Sequence, residues 1–167
     1  FEPNSKSVYS NSNFVLLSYI LEKTFKKSYS EVLKEYISEP LELKNTYVFG
    51  EINTNKNECK SYKFIGSWEE EPKTNFTIPL GAGAITSNPK DLTTFANALF
   101  TNKILKPKSL ETMKTLKDGY GLGLFQYSFN NIISYGHTGA IDGFSSIFKY
   151  FPNEKISYAL ISNGTNL

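Results

Sequence analysis

The sequence predicts an α+β fold: a helical region over about residues 1–118, then an antiparallel sheet over about residues 119–163. Three observations predict it. Apolar residues in the first part recur every three to four positions, the period of a helix with one buried face. The last part is a series of strand-like runs. Short links join those runs, and short links join antiparallel neighbours. Apolar residues make up 40% of the 167 and aromatics 15%, led by 13 Phe and 11 Tyr, which is the composition of a globular chain.

Residues 1–11 are polar and turn-rich. From Ser12 a helix is expected, with Phe14, Leu17, Leu21 and Phe25 on its apolar stripe and Val15, Leu16 and Ile20 widening it. Ser28 followed by Glu31 has the spacing of a capping box. Val32, Leu33, Tyr36 and Ile37 form the apolar face of the short helix that it starts, and Pro40 ends it. Residues 50–78 lack periodicity and predict an extended excursion with one short strand near residues 62–65. Gly81 and Gly83 allow a tight backbone path. Asn88 caps a helix whose first residue is Pro89, with Asp91 in its first turn and Leu92, Phe95, Ala96 and Leu99 on its buried face. A further short helix is expected over residues 107–116. Four strands follow, at residues 120–129, 132–138, 144–151 and 156–163, with turns at Asn130-Asn131 and Pro152-Asn153-Glu154.

Composition excludes several classes of function. The net charge is only +2, and all 18 basic residues are lysine. Without arginine forks or a basic stripe, nucleic acid is not an expected partner. Lys23, Lys26 and Lys27 read as a solvated helix end. The single Cys59 rules out an internal disulfide and a multi-cysteine zinc site. One histidine argues against most transition-metal sites, and no organic cofactor is implied. No apolar run is long enough to span a membrane. The chain opens on Phe1 and is expected to be an excerpt of a longer protein.

The lone histidine, His137, lies in the run "YGHTGAIDGF", at the end of a predicted strand. Gly136 and Gly139 leave bare backbone beside it, and Thr138 adds a hydroxyl that can donate to an anion. A hairpin corner with an incidental surface histidine explains the same residues. A second cluster, Tyr9-Ser10-Asn11, precedes the first helix. In an extended segment Tyr9 and Asn11 point the same way. A tyrosine beside a cation can act as a base, and an asparagine can bind an amide. The alternative for this cluster is an ordinary helix N-cap.

Taken together and in order, the two clusters resemble the serine β-lactamase and penicillin-binding protein superfamily, in its class C, D-alanyl-D-alanine carboxypeptidase and esterase branch. Members carry Ser-x-x-Lys, then Tyr-x-Asn, then Lys/His-Thr-Gly. Here Tyr9-Ser10-Asn11 matches the second and His137-Thr138-Gly139 the third. The run "FEPNSKSVYSNSNFVLLSYILEK" resembles the family's approach to the first helix, with Asn4 where a glycine is usual, and "ISEPLELKNT", "GAGAITSNPKDLTTFANAL", "YGLGL" and "FPNEKISYALISN" follow in the family's order. The resemblance extends from Phe1 to Asn163. The first motif has two matches by spacing, Ser87 with Lys90 and Ser146 with Lys149, and neither stands at a helix start before Tyr9. The nucleophile is therefore expected upstream of Phe1, which makes the fold an incomplete β-lactamase/transpeptidase-like one.

The resemblance implies acyl transfer from a β-lactam, a D-Ala-D-Ala peptide or an ester. It makes Tyr9 and His137 catalytic, and makes Asn11, Thr138, Gly139 and the backbone N–H of Ala140 substrate-binding. His137 stands where many relatives have a lysine, and a histidine changes charge near neutrality where a lysine does not. By itself the excerpt is expected to be inactive. The implied partner is a small molecule or a peptide, and the excerpt's sheet edges are expected to be open to self-association. The implied location is the periplasm, the cell envelope or the outside of a bacterium. The alternative function is a non-catalytic relative that binds or scaffolds.

Overall fold

The computed structural model describes residues 1–48 and 50–166. The first helix, α1, runs Asn11–Phe25. The Ser28–Glu31 capping box forms with both of its hydrogen bonds, and α2 (Tyr29–Leu33) follows from it, continued by a π-helical turn over Lys34–Ser38. Asn88 accepts from the Asp91 N–H and starts α3, Pro89–Phe100; α4 spans Pro107–Lys114.

The short strands are β1 (Tyr47–Val48), β2 (Tyr62–Phe64), β3 (Trp68–Glu70) and β4 (Ile85–Thr86). The C-terminal strands are β5 (Phe125–Phe129), β6 (Ile132–Ile141), β7 (Phe144–Phe151), β8 (Ile156–Ser162) and β9 (Gly164–Asn166). Strands β5-β6-β7-β8 form one antiparallel sheet in sequence order. Asn130 and Asn131, both with positive φ, make the two-residue turn between β5 and β6. Strand β2 pairs antiparallel with β3 and parallel with β9, and β1 pairs with β4. The excursion at residues 50–78 thus contains two strands, β2 and β3, where one was expected, plus a 3₁₀ turn at Thr54–Lys56.

Helix α3 covers one face of the four-stranded sheet. Phe100 stacks on Tyr150 at 4.7 Å and lies 6.1 Å from Tyr135; Phe95 meets Phe148 edge-on at 6.1 Å. Ala96, Ala98 and Leu99 are buried there. A second cluster joins Leu33, Val48 and Ala84 with Tyr29, Ile37 and Phe76. Asp91 ties the two regions. Its buried carboxylate accepts from the Asn45 N–H at 2.8 Å and the Thr46 hydroxyl at 3.0 Å.

Two apolar faces are left open. The stripe on α1 does not become core: Leu17 is 52% exposed, and the one buried residue of the helix is Ser18. Helix α1 packs through that small residue onto a 3₁₀ turn at Leu80–Ala82, where a Cβ on Gly81 would come within 2.7 Å of the Phe14 carbonyl oxygen. The outer face of the sheet is also open, with Ile156, Tyr158 and Leu160 of β8 exposed on alternate positions. Periodicity shows which face is apolar, not what covers it.

A hydrogen-bonded carboxylate ties the excursion to β1. Glu58 accepts from the Tyr47 hydroxyl at 2.5 Å and from the Asn53 N–H at 2.6 Å. Those donors, the hydroxyl first, hold the Glu58 carboxyl below its usual range, while burial and the Glu58 contact push Tyr47 up to about 12. A depressed carboxyl stabilises the fold above its unfolded value and loses that contribution as pH falls. A raised phenol contributes below its unfolded value and is lost as pH rises. Melting temperature should therefore drop as pH falls below 4.5 and again as it climbs above 10.0, the two ordinary values. Glu58→Gln should flatten the acid limb. Thermal melts across pH check this, and identical acid limbs for both proteins contradict it.

Candidate active site

The His137 run sits in the interior of a strand, not at its end. Strand β6 has ten residues, and His137, Thr138, Gly139 and Ala140 pair with Phe148, Ile147, Ser146 and Ser145 of β7. On the other side, β5 pairs with β6 only from Ile132 to Gly136. Beyond Gly136, β6 therefore has a neighbour on one side alone, and alternate peptide groups there turn away from β7. Thr138, Gly139 and Ala140 are exposed along this open edge.

Local sequence explains why β5 stops. The expected strand at residues 120–129 starts five residues late because the chain turns at Gly121–Leu124, where the Gly121 N–H donates to the Leu124 carbonyl at 2.8 Å. Gly123 has a φ of 72° within that turn. Gly136 marks the changeover on β6. A Cβ there would lie 1.9 Å from the Phe148 carbonyl oxygen, so the two backbones approach more closely than any other residue permits.

His137 is half-buried among rings. Phe125 is 4.8 Å away, Tyr9 6.0 Å and Phe14 6.5 Å, centroid to centroid. Tyr9 also packs on Phe14 at 5.6 Å, Phe125 at 6.1 Å and Tyr120 at 6.5 Å. The His137 Nδ1 lies 2.5 Å from the Thr138 carbonyl oxygen. Tyr9 is 41% exposed, and among the described residues no hydrogen-bond partner meets its hydroxyl.

The structure thus brings Tyr9 and His137 together from opposite ends of the chain. Asn11 is placed differently from the extended reading. Ser10 is the extended N-cap, without a side-chain capping bond, and Asn11 is already the first helical residue, exposed in the first turn of α1. Among the described residues it makes no hydrogen bond to β6. Phe14, Tyr120 and Phe125, which the sequence reading did not place in the site, line it. Phe14 stands three residues after Asn11, while Tyr120 and Phe125 bound the run "YGLGLF", twelve or more residues before His137, where no local signal assigns them to the site.

The two Ser-x-x-Lys spacings do not build a nucleophile. Ser87 spends its hydroxyl on Thr46, at 2.8 Å, just before the α3 cap. Ser146 and Lys149 are three apart on β7, so they point to opposite faces of the sheet. Ser146 faces Gly139, while the Lys149 ammonium lies 4.2 Å from the centre of the Tyr127 ring. Among the described residues no three His, Cys, Asp or Glu side chains gather as metal ligands.

The mixed fold leaves the edge of β6 open beyond Gly136, beside Tyr9 and His137. Comparison with known proteins gives that architecture its family. Residues 1–167 match the Beta-lactamase family, and the chain belongs to it. It is 26% identical to penicillin-binding protein 4* of Bacillus subtilis, over 98% of this chain and 41% of that protein. Among solved structures, a D-stereospecific amidohydrolase from Streptomyces sp. matches with a TM-score of 0.89 and 28% identity, over 98% of this chain and 52% of that one. A D-amino acid amidase from Ochrobactrum anthropi SV3 matches with a TM-score of 0.87 and 29% identity, over all of this chain and 52% of that one. The chain spans well under half the length of the curated relatives it matches. Its relatives make the family one of hydrolases that work by acyl transfer.

Proposed function

We propose that the whole protein is a serine acyl-transfer hydrolase, and that this chain supplies the proton-handling and substrate-holding half of its site. The observation that carries the proposal is the meeting of Tyr9 and His137, 6.0 Å apart, beside the exposed stretch Thr138–Ala140. The serine and lysine of Ser-x-x-Lys would come from outside these residues. The serine oxygen attacks the substrate carbonyl and forms an acyl-enzyme, which water then hydrolyses. Tyr9, with that lysine, takes the serine proton and passes it to the leaving group. Asn11 orients the amide of the acyl part. The His137 side chain and the Thr138 hydroxyl meet the substrate's carboxylate or its equivalent. The N–H of Ala140 gives half of the oxyanion hole, and one such donor is worth about 10²–10³ in turnover.

The substrate class is a carbonyl next to a D-configured centre: a D-aminoacyl amide, a D-Ala-D-Ala peptide, an ester or a β-lactam. Similarity to proteins that act on D-amino acid amides supports it. The bacterial cell envelope is the proposed location, on the family resemblance alone. The test is intact-protein mass spectrometry of the whole protein after exposure to a penicillin and to D- and L-phenylalanine amide. We expect a covalent adduct on a serine outside this chain, and hydrolysis of the D-amide ahead of the L-amide. The 167-residue chain alone should gain no mass. A whole protein without adduct or turnover, or an adduct on Ser10, Ser87 or Ser146, overturns the reading; the first result favours a binding or scaffold role.

A further inference from the structure

We infer that Asp142 is a positioning residue, one anchor of a strap at residues 74–84 that fixes β6 relative to the start of α1. Asp142 occupies the tip of the β6–β7 hairpin, between the paired Ile141 and Phe144, with a left-handed φ of 51°. Its carboxylate takes two hydrogens from one residue. Oδ2 accepts the Thr74 N–H at 3.0 Å, and Oδ1 accepts the Thr74 hydroxyl at 2.5 Å. The neighbouring Gly143 is held from the other side. Its N–H donates to Ser61 Oγ at 3.3 Å, and a Cβ there would meet the Tyr62 backbone at 2.7 Å. The hairpin tip is therefore clamped between two parts of the excursion.

From Thr74 the chain runs back toward α1. Asn75 turns it, accepting from the Thr77 N–H and hydroxyl at 3.0 and 2.8 Å. The 3₁₀ turn at Leu80–Ala82 then reaches the helix. The Gly81 N–H points at Ser18 Oγ, 3.4 Å away, and Gly81 sits against the Phe14 carbonyl. The next glycine, Gly83, returns to β6, where its Cβ position lies 3.4 Å from Ile141 Cδ1. The strap thus touches the far end of the His137 strand at Asp142 and Ile141, and α1 at Phe14 and Ser18.

That geometry has a consequence for the site. Tyr9 lies just before α1 and His137 lies on β6, so their separation depends on how those two elements sit. Ring contacts at 4.8 to 6.5 Å hold their partners less tightly than short hydrogen bonds to a carboxylate. The carboxylate latch and the close backbone approach at Gly81 are stiffer and lie outside the ring cluster. Misplacing reacting groups by about 1 Å costs roughly 10²-fold in rate, so a strap of this kind governs turnover without touching substrate.

The inference rests on the proposed pairing of Tyr9 and His137 in one site, and its test has a readout independent of activity. In the whole protein, amide hydrogen exchange at Thr74 and Gly81 is compared for wild type, Asp142→Ala and Thr74→Val, alongside kcat and KM for a D-amino acid amide. Asp142→Ala should speed exchange at both amides together by about tenfold or more, because local opening of the strap becomes easier. It should lower kcat about tenfold with a smaller change in KM. Thr74→Val keeps the N–H bond to Oδ2 and should give the same changes at smaller size. Faster exchange at Thr74 with no change at Gly81 overturns the inference, since the strap would then not act as a unit. Coupled exchange with kcat unchanged overturns it too, leaving Asp142 a purely structural residue. If the wild-type protein turns over none of these substrates, the proposed function fails, and the coupling of Thr74 to Gly81 alone decides the strap.

Discussion

Tyr9→Phe in the whole protein should lower kcat by about 10²–10⁴, the usual contribution of a positioned acid or base, with little change in KM. The substitution removes one oxygen and keeps the ring. The contacts of that ring with Phe14, Tyr120, Phe125 and His137 need only the ring, and they persist. The hydroxyl has no protein partner among the described residues, so its loss exposes no unsatisfied group and stability should stay within about 0.5 kcal/mol. A proton-handling group predicts a large kinetic loss with an unchanged melting temperature. A packing residue predicts the reverse, and a residue outside the site predicts neither. Steady-state kinetics and thermal melts on the same preparation separate the three. Turnover within a few-fold of wild type would remove Tyr9 from the mechanism.

Gly136→Ala should be the most damaging single-methyl change on β6. The added carbon would stand 1.9 Å from the Phe148 carbonyl oxygen, which belongs to the backbone of the neighbouring strand and cannot rotate away. Overpacking of this kind costs about 1–3 kcal/mol and at times more. In a domain of this size each kcal/mol lowers the melting temperature by about 2–4 °C. Gly139→Ala is the internal comparison. Its Cβ would meet only the Ser146 hydroxyl, at 2.8 Å, and that side chain can change rotamer. Gly136→Ala should therefore melt well below Gly139→Ala. Equal melting temperatures would show that β6 and β7 can separate at no cost, and that the close approach at Gly136 constrains neither strand.

Features set by a few neighbouring residues were legible in the sequence. The Ser28–Glu31 box, the Asn88 cap with Pro89 behind it and the Asn130-Asn131 turn each depend on local chemistry. Features set by distant partners were not. The expected strand ended at Thr138, whereas pairing with β7 carries β6 on to Ile141. Strands β1, β4 and β9 are two or three residues long and exist only through partners far along the chain. The apolar stripe of α1 is legible as a stripe, but what covers it is not local: the helix buries Ser18 and leaves Leu17 exposed. At the site, the two motifs announced Tyr9 and His137. The helix-cap alternative placed a helix start at Tyr9-Ser10-Asn11, and Ser10 is that N-cap. Nothing local announced that Asp142 would reach Thr74 across 68 positions.

The change of β6 from two neighbours to one at Gly136 also divides labour between scaffold and selectivity. Peptide groups are alike in every chain, so an open strand edge is a generalist: it grips any extended ligand whatever side chains that ligand carries. Discrimination then falls to the rings around it that move no proton, Phe14, Tyr120 and Phe125, which can be exchanged without disturbing the ladder. Engineers seeking a new substrate range should diversify those three positions and leave Tyr9 and the stretch from Gly136 to Ala140 alone.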